Sequence, residues 1–153
     1  MSTYSAILTG TGSCLPEKRL TNDDLSKMVE TNDEWITQRT GIRERRIAAE
    51  GETTASLATA AAQRAIEASG VDPSRIGLIV VATATPEMVF PATACFVGAN
   101  LGLHGVPGFD LSAACSGFLY ALSTAANFIR AGQAEHALVI GAETLSRVTD
   151  YTD

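Results

Sequence analysis

The run from Ile76 to Thr83 constrains the fold of this chain more than any other stretch. It contains Leu-Ile-Val-Val-Ala, so both alternating faces of an extended segment would be apolar. A strand of this kind must be covered on two sides, which is typical of a parallel sheet inside an α/β protein. Two further short apolar runs, Val106 to Leu111 and Ala137 to Gly141, have the same character.

Segments with helical patterning separate these runs. One helix is predicted from Ala92 to about Leu101, and another starts its apolar 3.6-residue period at Phe118 and ends near Gly132. The order strand, helix, strand, helix, strand with short joints predicts βαβ units, and therefore an α/β fold with a mostly parallel sheet covered by helices on both faces. In such sheets, ligands bind at the carboxyl ends of the strands.

The part of the chain before Ile76 contains further predicted elements. Residues 4 to 9 read as an opening strand that ends in a Gly-rich turn, and this turn lacks the glycine spacing of a dinucleotide site. Thr21 or Asn22 can cap a short helix that runs through Glu30. Two longer helices follow. Asn32 would cap the first, from Asp33 to about Thr40, which Gly41 ends. Thr53 or Thr54 would cap the second, an Ala-rich helix to about Ser69, which Gly70 ends.

Composition narrows the class of protein. The chain has 153 residues, of which 46% are hydrophobic and 18% are charged, with a net charge of −6, which favours one globular domain and argues against a nucleic-acid-binding protein. Three cysteines without paired spacing argue against a disulfide framework and a zinc site. The first residues have no basic segment, and no apolar stretch approaches the ~20 residues of a membrane span, so we expect a cytoplasmic protein without a metal.

Cys115 is the strongest candidate for a reactive residue. It follows the Val106 to Leu111 run, has small neighbours and precedes a helical pattern, so it is predicted at a turn with free helix N–H groups near its sulfur. This setting favours the thiolate, which is the nucleophilic form. The alternative is that Cys115 is a small core residue, because free cysteine is among the most buried residue types.

Trp35 and Arg39 form a second candidate site. They are four residues apart on the predicted helix and therefore share one face. Four of the chain's eleven basic residues lie between positions 39 and 46, which predicts a surface for an anionic ligand with Trp35 offering a face for a flat ring. The alternative is an Arg39 that stacks on Trp35 beside a solvated basic strand.

The remaining candidates are a loop phenylalanine, two histidines and two cysteines. Phe90 lies between Val89 and Pro91, where it is either a local plug or a residue offered to a partner. His104 and His136 are interpreted as turn or surface histidines. Cys14 and Cys95 are interpreted as structural thiols, since neither starts a helix after a strand.

Three segments together carry a resemblance to a known family. They are Thr31-Asn-Asp-Glu-Trp-Ile-Thr-Gln-Arg-Thr-Gly-Ile-Arg-Glu-Arg, Phe90-Pro-Ala-Thr-Ala-Cys and Asp110-Leu-Ser-Ala-Ala-Cys-Ser-Gly-Phe. They resemble 3-oxoacyl-acyl-carrier-protein synthase III, the condensing enzyme that starts type II fatty-acid synthesis. The resemblance runs along all 153 residues and implies a thiolase-like fold and a homodimer, with this chain similar to the first of two βαβαβ-type halves.

The resemblance also implies roles for individual residues. Cys115 is similar to the nucleophile that takes an acyl group from acyl-CoA, and its backbone N–H to one oxyanion donor. Trp35 is similar to the residue that stacks on the CoA adenine, with Thr31 beside it and Arg39 near the phosphates. Phe90 is similar to a residue that reaches across the dimer into the neighbour's acyl pocket. CoA enters as a substrate, and no further cofactor is implied.

The family's catalytic histidine and asparagine belong to the second half and are not identified in residues 1–153. We therefore expect the missing half and malonyl-acyl-carrier-protein as partners, and we expect the isolated segment to be insoluble or to associate. Two alternatives stay open. One is a related condensing enzyme, such as an alkylquinolone, polyketide-priming or hydroxymethylglutaryl-CoA synthase, and the other is a catalytically silent assembly fragment.

Overall fold

The structure is a computed structural model that describes residues 5–152. These residues form two compact units: one contains the chain up to Cys14 together with Thr53–Glu143, and the other contains Leu15–Glu52 together with residues 144–152. The strands are β1 Lys18–Thr21, β2 Glu44–Ile47, β3 Ile76–Ala82, β4 Gly108–Leu111 and β5 His136–Gly141. The α-helices are α1 Asn22–Leu25, α2 Asp33–Thr40, α3 Thr54–Ser69, α4 Thr93–Asn100 and α5 Gly117–Arg130.

The first unit, called the sheet unit below, is built around β3. This strand lies between β4 and β5 and runs parallel to both, with Val81 opposite Asp110 on one side and Ile140 on the other. Ile79 and Val81 pack with residues of α3 and α4, whereas Leu78 and Val80 face the alanines of α5. The predicted parallel sheet with helices on both faces is confirmed, because the doubly apolar strand is the one that both helical layers cover.

Capping residues set the two helix boundaries that the sequence predicted most closely. Asn32 accepts a hydrogen bond from Trp35 N–H at the start of α2, and Gly41 ends that helix with φ of 72°. Thr53 forms a capping box with Ser56 at the start of α3. The helix predicted through Glu30 is shorter, because α1 ends at Leu25 and only turns follow it.

The opening strand predicted at residues 4 to 9 is wrong for the part that the structure describes. Residues 5–10 have no strand assignment. Gly10 instead lies against α3, where a Cβ would be 2.5 Å from the Ala65 carbonyl oxygen. Apolar alternation alone therefore does not predict a strand here, since a strand also needs a neighbouring strand to satisfy its backbone N–H and C=O groups.

The apolar period predicted for α5 coincides with the buried face of the helix only in part. Ala121 and Ala125 are buried, whereas Phe118 and Leu119 at the start of the helix are exposed. The small residues face the sheet because they let the helix approach it closely, and Gly117 continues this face with its Cα next to Ala82. Large apolar side chains consequently lie on the outer surface close to Cys115.

The second unit, called the small unit below, contains an antiparallel pair of strands and two helices. In this pair Leu20 lies opposite Arg45. Thr21 and Asp24 form a capping box at α1, and hydrogen bonds from the Thr21 and Lys27 side chains lower the pKa of Asp24 to about 2. In the part of the chain that the structure describes, no helix is long and apolar enough to cross a membrane.

Candidate active site

Cys115 lies at the carboxyl end of β4, as predicted from the strand-to-helix pattern. It is the central residue of a short 3-10 turn, Ala114–Ser116, that leads directly into α5, and its side chain is exposed. The turn's hydrogen bonds are donated by Ser116 N–H to Ala113 O at 3.1 Å and by Gly117 N–H to Ala114 O. The thiol therefore lies at the amino-terminal end of a helix, where backbone N–H groups favour negative charge.

The backbone just before Cys115 is strained. Ala114 has φ of 44°, and it is the one non-glycine residue with a positive φ among residues 5–152. Such a conformation costs on the order of 1–3 kcal/mol and persists only when surrounding structure enforces it. Here the enforcing elements are β4 on one side and the closely packed start of α5 on the other, where a Cβ on Gly117 would lie 3.2 Å from the Ala82 Cβ.

Phe90 lies on the loop of residues 83–92 between β3 and α4, which we call the Phe90 loop. Its side chain is 85% exposed, and that of Val89 is 98% exposed. The interpretation of Phe90 as a local plug is therefore wrong for this chain, because a plug would be covered by its own unit. The loop instead presents an apolar tip that includes Met88 as well.

Trp35 and Arg39 contact each other on α2 in the small unit. The guanidinium carbon of Arg39 lies 4.7 Å from the centre of a Trp35 ring, and Trp35 remains 53% exposed. Thr31 is half-buried and lies directly before Asn32, the residue that caps this helix. The arrangement leaves aromatic surface and a guanidinium accessible together.

The predicted anion-binding surface is smaller than the sequence suggested. Arg45 donates to Leu20 O at 3.1 Å and to Asn22 Oδ1 at 2.8 Å, and Arg46 donates to Pro16 O at 2.9 Å. Both guanidiniums therefore hold the strand pair together. Arg39 and Arg43 are the members of the basic cluster that stay exposed.

Asn22 is a buried residue that the sequence analysis treated only as a possible cap. Its amide nitrogen donates to Asp33 Oδ1 and to Ile42 O, both at 2.8 Å, while its oxygen accepts from Arg45. It thereby joins the start of α2 to the segment after that helix. A buried amide with all these partners fixes the helix that carries Trp35.

Three carboxylates that the sequence analysis also missed hold the two ends of the Phe90 loop. Glu143 accepts from Ala84 N–H at 2.7 Å and from the Thr85 hydroxyl at 2.6 Å. Asp110 accepts from the N–H groups of Thr93 and Ala94 at 2.7 and 2.9 Å. Asp110 is an acidic residue inside an otherwise apolar strand, and such a carboxylate needs a hydrogen-bonding partner. Its position in the sequence was therefore a signal that could have indicated a structural contact.

Glu87 lies in the loop and is the third of these carboxylates. Partial burial alone would raise its pKa, but hydrogen bonds from Ala55 N–H and from the hydroxyls of Thr53 and Thr93 outweigh burial, so the pKa of Glu87 lies below its usual range. Its Oε1 accepts from Ala55 N–H at the start of α3. The ionised carboxylate therefore ties the loop to a helix amino terminus.

The other thiols and the histidines have no arrangement suited to catalysis. Cys14 is half-buried and Cys95 is exposed, and the interpretation of both as structural thiols stays a prediction. His104 is exposed, whereas the Nε2 atom of His136 is buried without a hydrogen-bond partner among the described residues. Within residues 5–152, no group of three His, Cys, Asp or Glu residues could hold a metal ion.

A family model and curated proteins are similar in sequence to this chain. The family model described as 3-oxoacyl-[acyl-carrier-protein (ACP)] synthase III matches residues 109–153, which include the Cys115 turn. The chain is 60% identical to the beta-ketoacyl-[acyl-carrier-protein] synthase III of Thiobacillus denitrificans over 152 residues, covering 99% of this chain and 47% of that protein.

Two solved structures are similar. A crystal structure of 3-oxoacyl-[acyl-carrier-protein] synthase III from Aquifex aeolicus VF5 matches with a TM-score of 0.91 and 54% identity over 95% of this chain and 47% of that chain. The priming beta-ketosynthase of the R1128 polyketide biosynthetic pathway matches with a TM-score of 0.90 and 39% identity over 95% of this chain and 44% of that chain.

The parallel sheet with helices on both faces is thus a thiolase-like α/β fold. Over nearly its whole length the chain is similar to the amino-terminal half of 3-oxoacyl-acyl-carrier-protein synthase III proteins. It spans about half the length of the curated relatives it matches.

Proposed function

We propose that the chain carries the nucleophile of an acyltransferase that condenses acyl-CoA, commonly acetyl-CoA, with malonyl-acyl-carrier-protein and so starts fatty-acid synthesis. The observation that supports this most directly is the exposed Cys115 at the junction of a parallel strand and a helix, inside the segment that the family model matches. Cysteine is intrinsically nucleophilic as its thiolate.

The chemistry proceeds in two steps. In the first, the Cys115 thiolate attacks the thioester carbonyl of acyl-CoA, and the CoA thiolate leaves when the tetrahedral intermediate collapses. In the second, malonyl-acyl-carrier-protein loses CO₂, and the resulting carbanion attacks the acyl-Cys115 carbonyl and releases the thiolate. The Cys115 N–H would serve as one oxyanion donor, a role worth about 10²–10³ in rate.

The second step needs further groups. Decarboxylation produces an enolate whose oxygen must be stabilised by donors held in place. We assign those donors to a histidine and an asparagine outside residues 1–153, since His104 and His136 have no such arrangement. We propose the missing second half as a partner that supplies these donors. We also propose that the enzyme is a homodimer and that it is located in the cytoplasm.

CoA recognition is assigned to the small unit. Trp35 would stack on the adenine with Thr31 beside it, and Arg39 would lie near the phosphates, for which its guanidinium is suited. The exposed ring and the neighbouring guanidinium support this assignment. Phe90 would line the acyl pocket of the neighbouring subunit, and its exposure on the loop tip supports that role. CoA is a substrate here, and the proposal includes no cofactor.

A condensation assay tests the proposal. The polypeptide as its gene encodes it is given acetyl-CoA and malonyl-acyl-carrier-protein, and the 3-oxoacyl product and released CO₂ are measured. Wild type should form both, and Cys115→Ser should fall to background, whereas Cys95→Ser, which removes another exposed thiol, should keep wild-type rates. Equal rates for Cys115→Ser and wild type would contradict the proposed nucleophile.

A second candidate function is supported by the similarity to the priming beta-ketosynthase at 39% identity. In this second candidate function Cys115 would perform the same chemistry on other acyl-CoA or acceptor substrates. A panel of acyl-CoA substrates distinguishes the two, since a fatty-acid enzyme of the proposed kind should prefer acetyl-CoA and a priming enzyme a longer or branched acyl group. A catalytically silent assembly fragment should accept none of them.

A further inference from the structure

Asp110 connects the strand that leads to Cys115 with the end of the Phe90 loop. It lies in β4, five positions before Cys115 in the sequence, and it is half-buried. Its two carboxylate oxygens separately accept the Thr93 N–H at 2.7 Å and the Ala94 N–H at 2.9 Å. Thr93 and Ala94 are both buried and follow the loop directly.

This carboxylate replaces a local helix cap. Helix α4 starts at Thr93, and its N-cap residue Ala92 has no side chain that could accept a hydrogen bond. Asp110 satisfies the first N–H groups from a different element, and its charge suits the positive end of the helix. A serine or asparagine at position 92 would cap α4 equally well in chemical terms, but it would not join the helix to β4.

The Asp110 hydrogen bonds constrain the Phe90 loop because the end of the loop that follows β3 is also held by hydrogen bonds. Glu143 binds Ala84 N–H and the Thr85 hydroxyl, and Glu87 binds Ala55 N–H. The exposed tip with Val89 and Phe90 therefore projects from a loop whose ends are fixed to the carboxyl end of the sheet. Loss of the Asp110 contacts would release the end that is closer to Phe90.

We propose that Asp110 is a positioning residue that fixes the Phe90 loop on the sheet of its own subunit, and thereby sets how Phe90 enters the neighbouring subunit's acyl pocket and which acyl groups the enzyme accepts. This inference rests on the proposed function, in which Phe90 lines the acyl pocket of the neighbouring subunit and that subunit's Cys115 takes the acyl group. Asp110 acts through the Thr93 and Ala94 amides and touches no reacting atom. In Asp110→Asn the side-chain NH₂ group faces one of these N–H groups, so one of the two hydrogen bonds is lost.

The test compares acylation of Cys115 by acetyl-CoA and by isobutyryl-CoA in the polypeptide as its gene encodes it. Asp110→Asn should change the ratio of the two rates by about fivefold or more, because one methylene in an apolar pocket already discriminates by 10–200-fold. Hydrogen exchange at Thr93 and Ala94 should accelerate by about tenfold while the amides of β3 stay protected. The matched control is Asp72→Asn, which makes the same change of charge at a carboxylate that caps Ser74 N–H before β3 and should leave the ratio unchanged.

A double variant separates positioning from helix stability. Ala92→Ser combined with Asp110→Asn gives α4 a local cap and should restore much of the thermal stability, yet the altered ratio should persist. If the double variant regains the wild-type ratio, or if Asp110→Asn never changes it, the inference is overturned and the proposed function stands. If wild type accepts neither acyl group, the proposed function fails, and this inference fails with it.

Discussion

Trp35 provides the most direct test at the scale of single residues. Stacking of a base on an aromatic side chain is worth about 1–3 kcal/mol, so Trp35→Ala should weaken CoA binding by about 5–150-fold. Isothermal titration with CoA measures this. Met28→Ala is a matched control, since Met28 is a similarly exposed large apolar residue of the same unit. Equal affinities in wild type and Trp35→Ala would refute the assignment.

Asn22 should matter for stability even though it is not assigned to contact any substrate. It is 1% exposed, and its removal takes one of two acceptors from the Arg45 guanidinium and leaves the Ile42 carbonyl without the Asn22 amide. We expect Asn22→Ala to lower the free energy of unfolding by about 2–3 kcal/mol. Trp35 is the chain's single tryptophan, so its fluorescence in a urea titration reports on the small unit. Asn100→Ala, an exposed change in the sheet unit, should leave that transition in place.

The sequence predicted the positions of the candidate reactive residues better than it predicted the hydrogen-bonding partners of structural residues. Cys115 lies where the small residues and the following helical period located it. The four-residue spacing of Trp35 and Arg39 indicated their contact. The structural roles of Arg45 and Asn22 could not be inferred, because three of their four hydrogen bonds join residues 20 or more positions apart in the chain. Hydrogen bonds at such separation depend on the fold and leave no local pattern.

At the scale of elements, the hydrogen bonds of Glu87 that join the Phe90 loop to α3 predict a pH dependence of stability. Its folded-state pKa is depressed, so its contribution to stability is present above the usual value near 4.5 and is lost as the pH falls toward the folded pKa. Glu87→Gln should therefore lower the melting temperature at pH 7 by about 2–4 °C, the shift expected for 1 kcal/mol in a chain of this size.

The difference in melting temperature between wild type and Glu87→Gln should shrink as the pH falls below the usual value near 4.5 and through the depressed folded-state pKa of Glu87. Differential scanning calorimetry across the pH range measures it. Glu67→Gln on α3 is the control, because the Glu67 side chain has no hydrogen bond or ion pair with the described residues. A Glu87→Gln deficit that is constant from pH 7 to below the folded-state pKa would contradict the ionised tie.

Gly10 tests the packing of the amino-terminal segment on α3. A Cβ at this position would lie 2.5 Å from Ala65 O and 2.6 Å from Ser69 N, both of which are backbone atoms that cannot move aside easily. Gly10→Ala should destabilise the sheet unit by about 1–3 kcal/mol in chemical denaturation. Gly77→Ala is the control, since its Cβ would meet Ala134 at an ordinary 3.5 Å. Equal stability of the two variants would show that this packing is not tight.

The elements also show which local signals determine structure. The boundaries of α2 and α3 followed from Asn32, Gly41, Thr53 and Gly70, because caps and left-handed glycines act over a few residues. The buried face of α5 followed only in part: Ala125 of the predicted apolar period is buried, but Phe118 and Leu119 are exposed, and close packing against the sheet also required Ala121. Size complementarity with a neighbouring element decides such cases.

At the scale of the whole molecule, the parallel sheet was predictable and the organisation into two units was not. The apolar run of β3 dictated burial on both faces, and βαβ connections dictated parallel neighbours. The small unit combines residues 15–52 with residues 144–152, and the sequence gives no local sign of that pairing. The expected tendency to associate stays a prediction, to which the exposed Val89, Phe90 and Leu119 give a physical basis.

The central claim is that Cys115 accepts an acyl group from acyl-CoA. Incubation of the purified polypeptide with acetyl-CoA, followed by intact mass spectrometry and peptide mapping, measures it directly. Cys14 and Cys95 serve as internal controls in the same sample. We predict one acetyl group, located on Cys115 and absent from the other two thiols. An unmodified Cys115, or acetylation spread equally over all three thiols, would contradict the proposed nucleophile.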